Sequence, residues 1–136
     1  MKSKKVILDT NLWISFLITR DFSFLDNFIV TGKMKLIFSE ELFGEFISVT
    51  ERPKFKKYFT ESDVKHLIRI IDRFGMLVQV TTEINRCRDI KDNFLLSLAI
   101  DSNADYLVTG DNDLLDLDYI NETKILTIQG LRDELK

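Results

Sequence analysis

The chain reads as an α/β protein built on a parallel sheet, and three observations carry that reading. Short apolar runs recur at Val6–Leu8, Lys35–Phe38, Met76–Val80, Tyr106–Thr109 and Lys124–Ile128, alternating with stretches of helical periodicity and brief links. The first and fourth of these runs are nearly continuous in apolar residues, as strands buried on both faces are. Both also end in hydroxyl, amide or acidic side chains: Asp9, Thr10 and Asn11 after the first, Thr109 and Asp111 after the fourth. Ligands of open α/β sheets collect outside the carboxyl ends of parallel strands, so Asp9 and Asp111 stand where such folds do their chemistry.

The first strand leads into a short helix over Asn11–Leu17, with Trp13, Ile14 and Leu17 on one face and Thr10 or Asn11 as its cap. A second amphipathic stretch, Asp21 to Thr31, sets Phe24, Leu25, Phe28 and Ile29 at the spacing of a buried stripe, and Gly32 closes it. After the strand Lys35–Phe38, Ser39 is a natural N-cap, with Glu40 and Glu41 in the first turn where the helix dipole favours negative charge. The apolar face of that helix is Leu42, Phe43, Phe46 and Ile47, with Val49 at its edge. Glu45 lies beside this face, one turn beyond Glu41. Pro53, the only proline, is expected to end the helix and lead into a basic segment.

Thr60 with Asp63 three residues on makes a capping-box-like start for a helix that buries Val64, Leu67, Ile68 and Ile71, runs to Phe74 and stops at Gly75. The strand Met76–Val80 is followed by an irregular connection over Thr81–Arg88. A helix over Asp92–Ser102 turns Phe94, Leu95, Leu98 and Ala99 inward. Asp92 opens it as cap or in the first turn, and Asp89 is a turn residue. The last strand and a short helix after Gln129 complete the alternation.

With 136 residues, 45% hydrophobic and 30% charged, the chain suits one globular domain, residues 1–136. The single cysteine, Cys87, lies between Arg86 and Arg88; it leaves no intrachain disulfide framework, and a reducing, cytoplasmic setting is expected. The basic start MKSKK precedes only three apolar residues, too few for a signal peptide. No apolar run approaches the roughly 18 residues of a membrane span, so no membrane partner is expected.

The net charge of −3 is unevenly spread. From Asp92 to Glu122 there are eight acids and no Lys or Arg, whereas Arg52, Lys54, Lys56 and Lys57 crowd into six positions and Lys65, Arg69 and Arg73 follow at helical spacing. An acidic centre with a basic flank suits a polyanionic substrate held by one part and processed by another. The run RPKFKKY would serve equally as a solvated helix face. His66, the only histidine, has no partner at metal spacing and reads as a surface or half-buried residue. Acid–base work therefore falls to carboxylates or to a metal ion.

Asp9, Asp111 and Asp92, two strand ends and a helix start, belong to the same edge of such a sheet, and Glu45 joins them if its helix packs across that edge. Two carboxylates about 6 Å apart at an effective dielectric near 20 repel by roughly 3 kcal/mol. Four of them, in about six pairs, would rival the whole stability of a domain, roughly 5–15 kcal/mol. Protonation or a bound cation answers that repulsion, and with no second His and no Cys pair the cation would be a hard one, Mg²⁺ or Mn²⁺. Such a site activates water and neutralises phosphate, the chemistry of metal-dependent phosphodiester cleavage.

VILDTN at the start, SEELFGEF in the third helix, RDIKDNFLLSLAIDSNADYLVTGDNDLL and the closing KILTIQGL together resemble the PIN-domain nucleases, more closely the bacterial toxins of toxin–antitoxin pairs. The resemblance covers nearly the whole chain. It implies that Asp9, Glu45, Asp92 and Asp111 are the metal-binding acids, that Asp113 is an occasional additional ligand or a group that supports the ligands from behind, and that Thr10, Asn11 and Thr109 supply supporting hydroxyl and amide contacts. It further implies a three-layer α/β/α sandwich with a central, mainly parallel sheet and a Mg²⁺- or Mn²⁺-dependent endoribonuclease, often dimeric and often inhibited by a small antitoxin protein. Arg52, Lys54, Lys56 and Lys57 would then hold the RNA backbone with little sequence preference.

The alternative within the same fold is a catalytically silent RNA-binding or scaffold module. A phosphatase of the haloacid dehalogenase type wants a second Asp two residues after the first, where this chain has Asn11. A phosphoaspartate receiver wants a strand-end Lys, and none stands near Thr109.

Overall fold

Val6, Ile7 and Leu8 are each at most 1% exposed because β1 (Lys4–Leu8) is an inner strand with both faces covered. The computed structural model describes residues 3–19, 27–28, 31–85 and 90–135. Around β1 lie β2 (Met34–Phe38), β3 (Gly75–Leu77), β4 (Tyr106–Val108), β5 (Tyr119–Ile120) and β6 (Thr123–Leu126), in the spatial order β3-β2-β1-β4-β6-β5. Every pairing is parallel except that of β5 with β6. The helices are α1 (Thr10–Thr19), α2 (Glu40–Thr50), α3 (Pro53–Lys56), α4 (Glu61–Phe74), α5 (Ile90–Ser102), α6 (Asn112–Leu115) and α7 (Ile128–Glu134). Together they make a three-layer α/β/α arrangement around a mostly parallel sheet.

Several local readings are refined by the structure. Helix α1 starts at Thr10, so Asp9 and neither Thr10 nor Asn11 precedes it as the capping residue: Leu12 N–H donates to the Asp9 carbonyl at 3.0 Å. Trp13 and Ile14 are buried as read, while the Leu17 side chain lies outside the described residues. Most of the stretch read as a helix over Asp21–Thr31 also lies outside them, although Phe28 packs against the core. Ser39 caps α2, accepting from Leu42 N–H at 3.1 Å. Pro53 begins a helix instead of ending one: α2 has already stopped at Thr50, and proline suits the first turn of α3 because its missing N–H would have had no partner there.

The capping box of α4 is complete, Thr60 and Asp63 exchanging hydrogen bonds of 3.1 Å each way. The expected strand Met76–Val80 is cut to Gly75–Leu77, and residues 78–85 run on without regular pairing. Phe94, read as inward, is 48% exposed, because α5 turns Leu95, Leu96, Leu98 and Ala99 into the core instead. The part of the irregular connection over residues 86–89, including Cys87 and Asp89, lies outside the described residues.

What positions the carboxyl edge is the reversal of strand order at β1. The chain goes from β1 to β2 on one side and comes back to β4 on the other, which makes the β1/β4 gap a topological switch point. The register there is set at the far end. Asn103 adopts the left-handed conformation, φ 53°, closing α5 with Ala104 N–H to Ala99 O at 3.2 Å and Asn103 N–H to Ile100 O at 3.2 Å, a Schellman motif. Asp105 then locks on to β1: its N–H donates to Lys5 O at 2.9 Å, and its carboxylate accepts from Lys5 N–H at 2.8 Å.

The second positioning device is aromatic. Trp13 of α1 lies with ring centroids 5.6 Å from Phe38 and 6.3 Å from Phe46, and so pins α2, which carries Glu45, to the edge of β2. Helix α2 in turn packs on α5. At the other end of α5, Asp101 accepts from the N–H groups of Thr81 and Thr82 and from the Thr82 hydroxyl, which holds its carboxyl below the usual aspartate range and ties the irregular connection down.

Candidate metal centre

Because Leu8 pairs with Val108, the next residues along, Asp9 and Thr109, come abreast on neighbouring strands. Asp9 N–H donates to Val108 O at 3.0 Å and Thr109 N–H to Leu126 O at 3.0 Å, carrying the ladder one residue past each strand. The Thr109 hydroxyl, 1% exposed as a residue, then donates to Asp9 Oδ2 at 2.9 Å and accepts from Asp111 N–H at 3.0 Å. One hydroxyl thus links the acids that follow β1 and β4, a hundred residues apart in sequence.

Asp111 turns back over the start of α6 as its cap, its Oδ1 accepting from Asp113 N–H at 2.9 Å. That bend brings Asp113 round to the same place. Asp92 arrives from the opposite side as the third residue of α5, 5% exposed, in the turn where the helix dipole stabilises a negative charge. Asp92, Asp111 and Asp113 each offer a carboxylate oxygen such that all three atoms lie within 4.8 Å of one another. At that separation, each pair repels by about 3.5 kcal/mol at an effective dielectric of 20, before screening of the exposed Asp113 by solvent.

The remaining residues singled out in the sequence take different places. Asp9 is half-buried and adjoins the three acids through Thr109. Thr10 is 3% exposed, and its hydroxyl has no hydrogen-bond partner among the described residues. The Asn11 side chain is exposed, while its N–H donates to Asp9 Oδ1 at 3.4 Å. Glu45 stands outside the set of three: its Oε1 is 3.4 Å from Lys91 Nζ, the neighbour of Asp92. Arg52, Lys54, Lys56 and Lys57 are all exposed on and around α3, with the Lys54 and Lys57 ammonium groups 5.4 and 5.1 Å from the Phe55 and Tyr58 ring centres. His66 is exposed.

Lys91 was not legible as part of the site, since a lone Lys beside an Asp has no motif, and its meeting with Glu45 depends on how α2 packs on α5.

The donor set is oxygen alone, three carboxylates from the first turns of two helices and the cap of one of them, with Asp9 alongside. It fits a hard divalent cation, which would remove the mutual repulsion of the acids.

An open, mostly parallel sheet with carboxylates gathered at its switch point defines a class of α/β domain with an acidic site at its carboxyl edge. The chain belongs to the PIN domain family, whose profile matches residues 5–113. It is 30% identical to an uncharacterized protein of the archaeon Methanocaldococcus jannaschii, MJ1680, over 93% of this chain and 82% of that one. In fold it is similar to the crystal structure of PAE2754 from Pyrobaculum aerophilum, with a TM-score of 0.62 at 15% identity, covering 98% of this chain and 89% of that one. Members of the family are usually nucleases that work with a divalent metal. Among the described residues no helix is long and apolar enough to cross a membrane.

Proposed function

We propose that this chain is an endoribonuclease that hydrolyses RNA phosphodiester bonds with Mg²⁺ or Mn²⁺, and that it acts in the cytoplasm as the toxin of a toxin–antitoxin pair. The observation that carries the nuclease reading is the meeting of Asp92, Asp111 and Asp113 within 4.8 Å at the switch point, with Asp9 held next to them by Thr109. Asp9, Asp92 and Asp111 would hold the ion, with Asp113 as a further ligand. When bound, such an ion supplies charge neutralisation for a phosphate and lowers the pKa of water.

The protein's own share is preorganisation. Thr109 fixes Asp9 and the backbone of Asp111 in place before any substrate arrives, so little reorganisation is left for the reaction itself. Glu45 is the group we assign to orient the attacking water and accept its proton, with Lys91 holding the carboxylate in position. Arg52, Lys54, Lys56 and Lys57, exposed together, would bind flanking phosphates without reading bases. The likeness of the sequence to bacterial toxins supports the toxin role, and with it a homodimer and a small antitoxin partner.

The test is cleavage of single-stranded RNA in Mn²⁺ by purified protein. Asp9→Asn and Asp92→Asn should fold and lose at least about a hundredfold in kcat/KM. Undiminished cleavage would remove these acids from the mechanism. RNA bound but left intact by the parent would favour a silent module. Induced expression in bacterial cells should arrest growth with the parent and not with Asp92→Asn; normal growth with both would remove the toxin role and leave the nuclease standing.

A further inference from the structure

Strand β3 closes one side of the sheet, with β2 its only strand neighbour among the described residues. Leu77 pairs with Phe38, and Val78 N–H donates to Phe38 O at 2.8 Å. In that parallel register Phe38 turns both its backbone groups to β3, while the N–H and C=O of Leu77 point away from the sheet. The Leu77 side chain is 64% exposed.

Two hollows meet at this residue. One, of about 370 Å³ between α2 and α4, is walled mainly by Phe43, Ile68, Ile71 and Met76, all half-buried. The other, of about 350 Å³, runs along residues 78–80 and takes in Glu40 and Glu41 from the first turn of α2. Three exposed acids, Glu40, Glu41 and Asp72, line the pair of hollows against one cation, Arg69. None of the three is in an ion pair among the described residues.

An occupant suited to these features has a backbone donor and acceptor for Leu77, an apolar side chain for the larger hollow and a positive charge for the acids. An extended polypeptide meets all three, because main-chain hydrogen bonds to a sheet edge give affinity and alternate side chains give specificity. A nucleic acid strand would be repelled by the acids. A second copy of the same edge would bring the same excess of negative charge.

We propose that the outer edge of β3 docks an extended segment of another protein, its main chain bonded to Leu77, one apolar side chain seated between α2 and α4, and a Lys or Arg at Glu40 and Glu41. The inference stands apart from the nuclease reading, since none of the clustered aspartates lines either hollow.

Panning a displayed library of random heptapeptides on the full chain tests it. The enriched peptides should share an apolar residue and a Lys or Arg within about three positions of each other, the reach of a short strand. A synthetic copy of the strongest is then titrated against the parent and two variants. Leu77→Pro removes only an outward N–H, which an edge strand tolerates, and should weaken binding by about tenfold. Glu40→Gln combined with Glu41→Gln should weaken it by about fivefold at low salt and flatten its salt dependence. Thermal midpoints check that both variants fold.

If Leu77→Pro does not fold, N-methylation of each peptide position in turn replaces it: a loss at one position supports the main-chain bond, and none overturns it. A library that yields no enriched peptide overturns the proposal, and β3 is then an edge kept single by its shortness. Peptides without a basic residue, or ones that bind parent and variants equally, overturn it as well.

Discussion

Thr109 does at the scale of a single atom what the metal would do at the scale of the site: it holds two acids from distant parts of the chain in one geometry. Its hydroxyl donates to Asp9 and accepts from Asp111 N–H inside a residue that is almost wholly buried. Thr109→Val keeps the shape and deletes both bonds, leaving a backbone N–H and a carboxylate oxygen with less than they had. We expect a loss of about 1–3 kcal/mol in urea denaturation, with cleavage falling further than stability, and Thr109→Ser should recover most of both. A Val variant as stable and active as the parent would show that the hydroxyl bridges nothing of consequence. At this scale the sequence was informative where a residue's place follows from its own strand: Asp9 and Thr109 are read directly from the apolar runs that precede them. It was silent on Lys91, whose partner Glu45 is supplied by another helix.

Among the elements, boundaries matter because they set which way a side chain leaves the backbone. Helix α5 begins at Ile90, so Asp92 is its third residue and points from the first turn, where a reading from sequence left cap and first turn open. Helix α6 and the antiparallel β5 were not foreseen, being four and two residues long, too short to show a period. The β5–β6 hairpin turns at Asn121, φ 51°, a conformation asparagine tolerates. The junction of α4 and β3 is tight: a Cβ on Gly75 would lie 2.4 Å from the Ile71 carbonyl oxygen. Gly75→Ala should therefore destabilise by about 1–3 kcal/mol, as an overpacked site does. Gly44, inside α2 with nothing within 4 Å of its would-be Cβ, is the matched control: Gly44→Ala should stabilise by roughly 0.5–1 kcal/mol. Equal effects in chemical denaturation would mean that α4 does not run straight into β3.

For the molecule as a whole, the acid cluster couples folding to metal. Three carboxylates within 4.8 Å stand against the net stability of roughly 5–15 kcal/mol that a domain has to spare. A cation bound only to the folded state adds about 2.7 kcal/mol at a hundred times its dissociation constant. Mn²⁺ should thus raise the thermal midpoint by several degrees, EDTA should reverse the gain, and Asp92→Asn should blunt it. An identical midpoint with and without the ion would mean that these acids bind none. The experiment is independent of any RNA and so separates metal binding from catalysis.

The sequence by itself determined the fold class, the covered inner strands and the acids that follow them, because burial on two faces and the chemistry of strand ends are written locally in composition and spacing. It also carried the family, through motifs strung over nearly the whole chain. Only the tertiary structure decided that Glu45 faces Lys91 and that Phe94 stands in the open. Each of these depends on how one helix is rotated and seated against another, which is fixed by long-range packing such as Trp13 against Phe38 and Phe46 and leaves no period in the residues concerned.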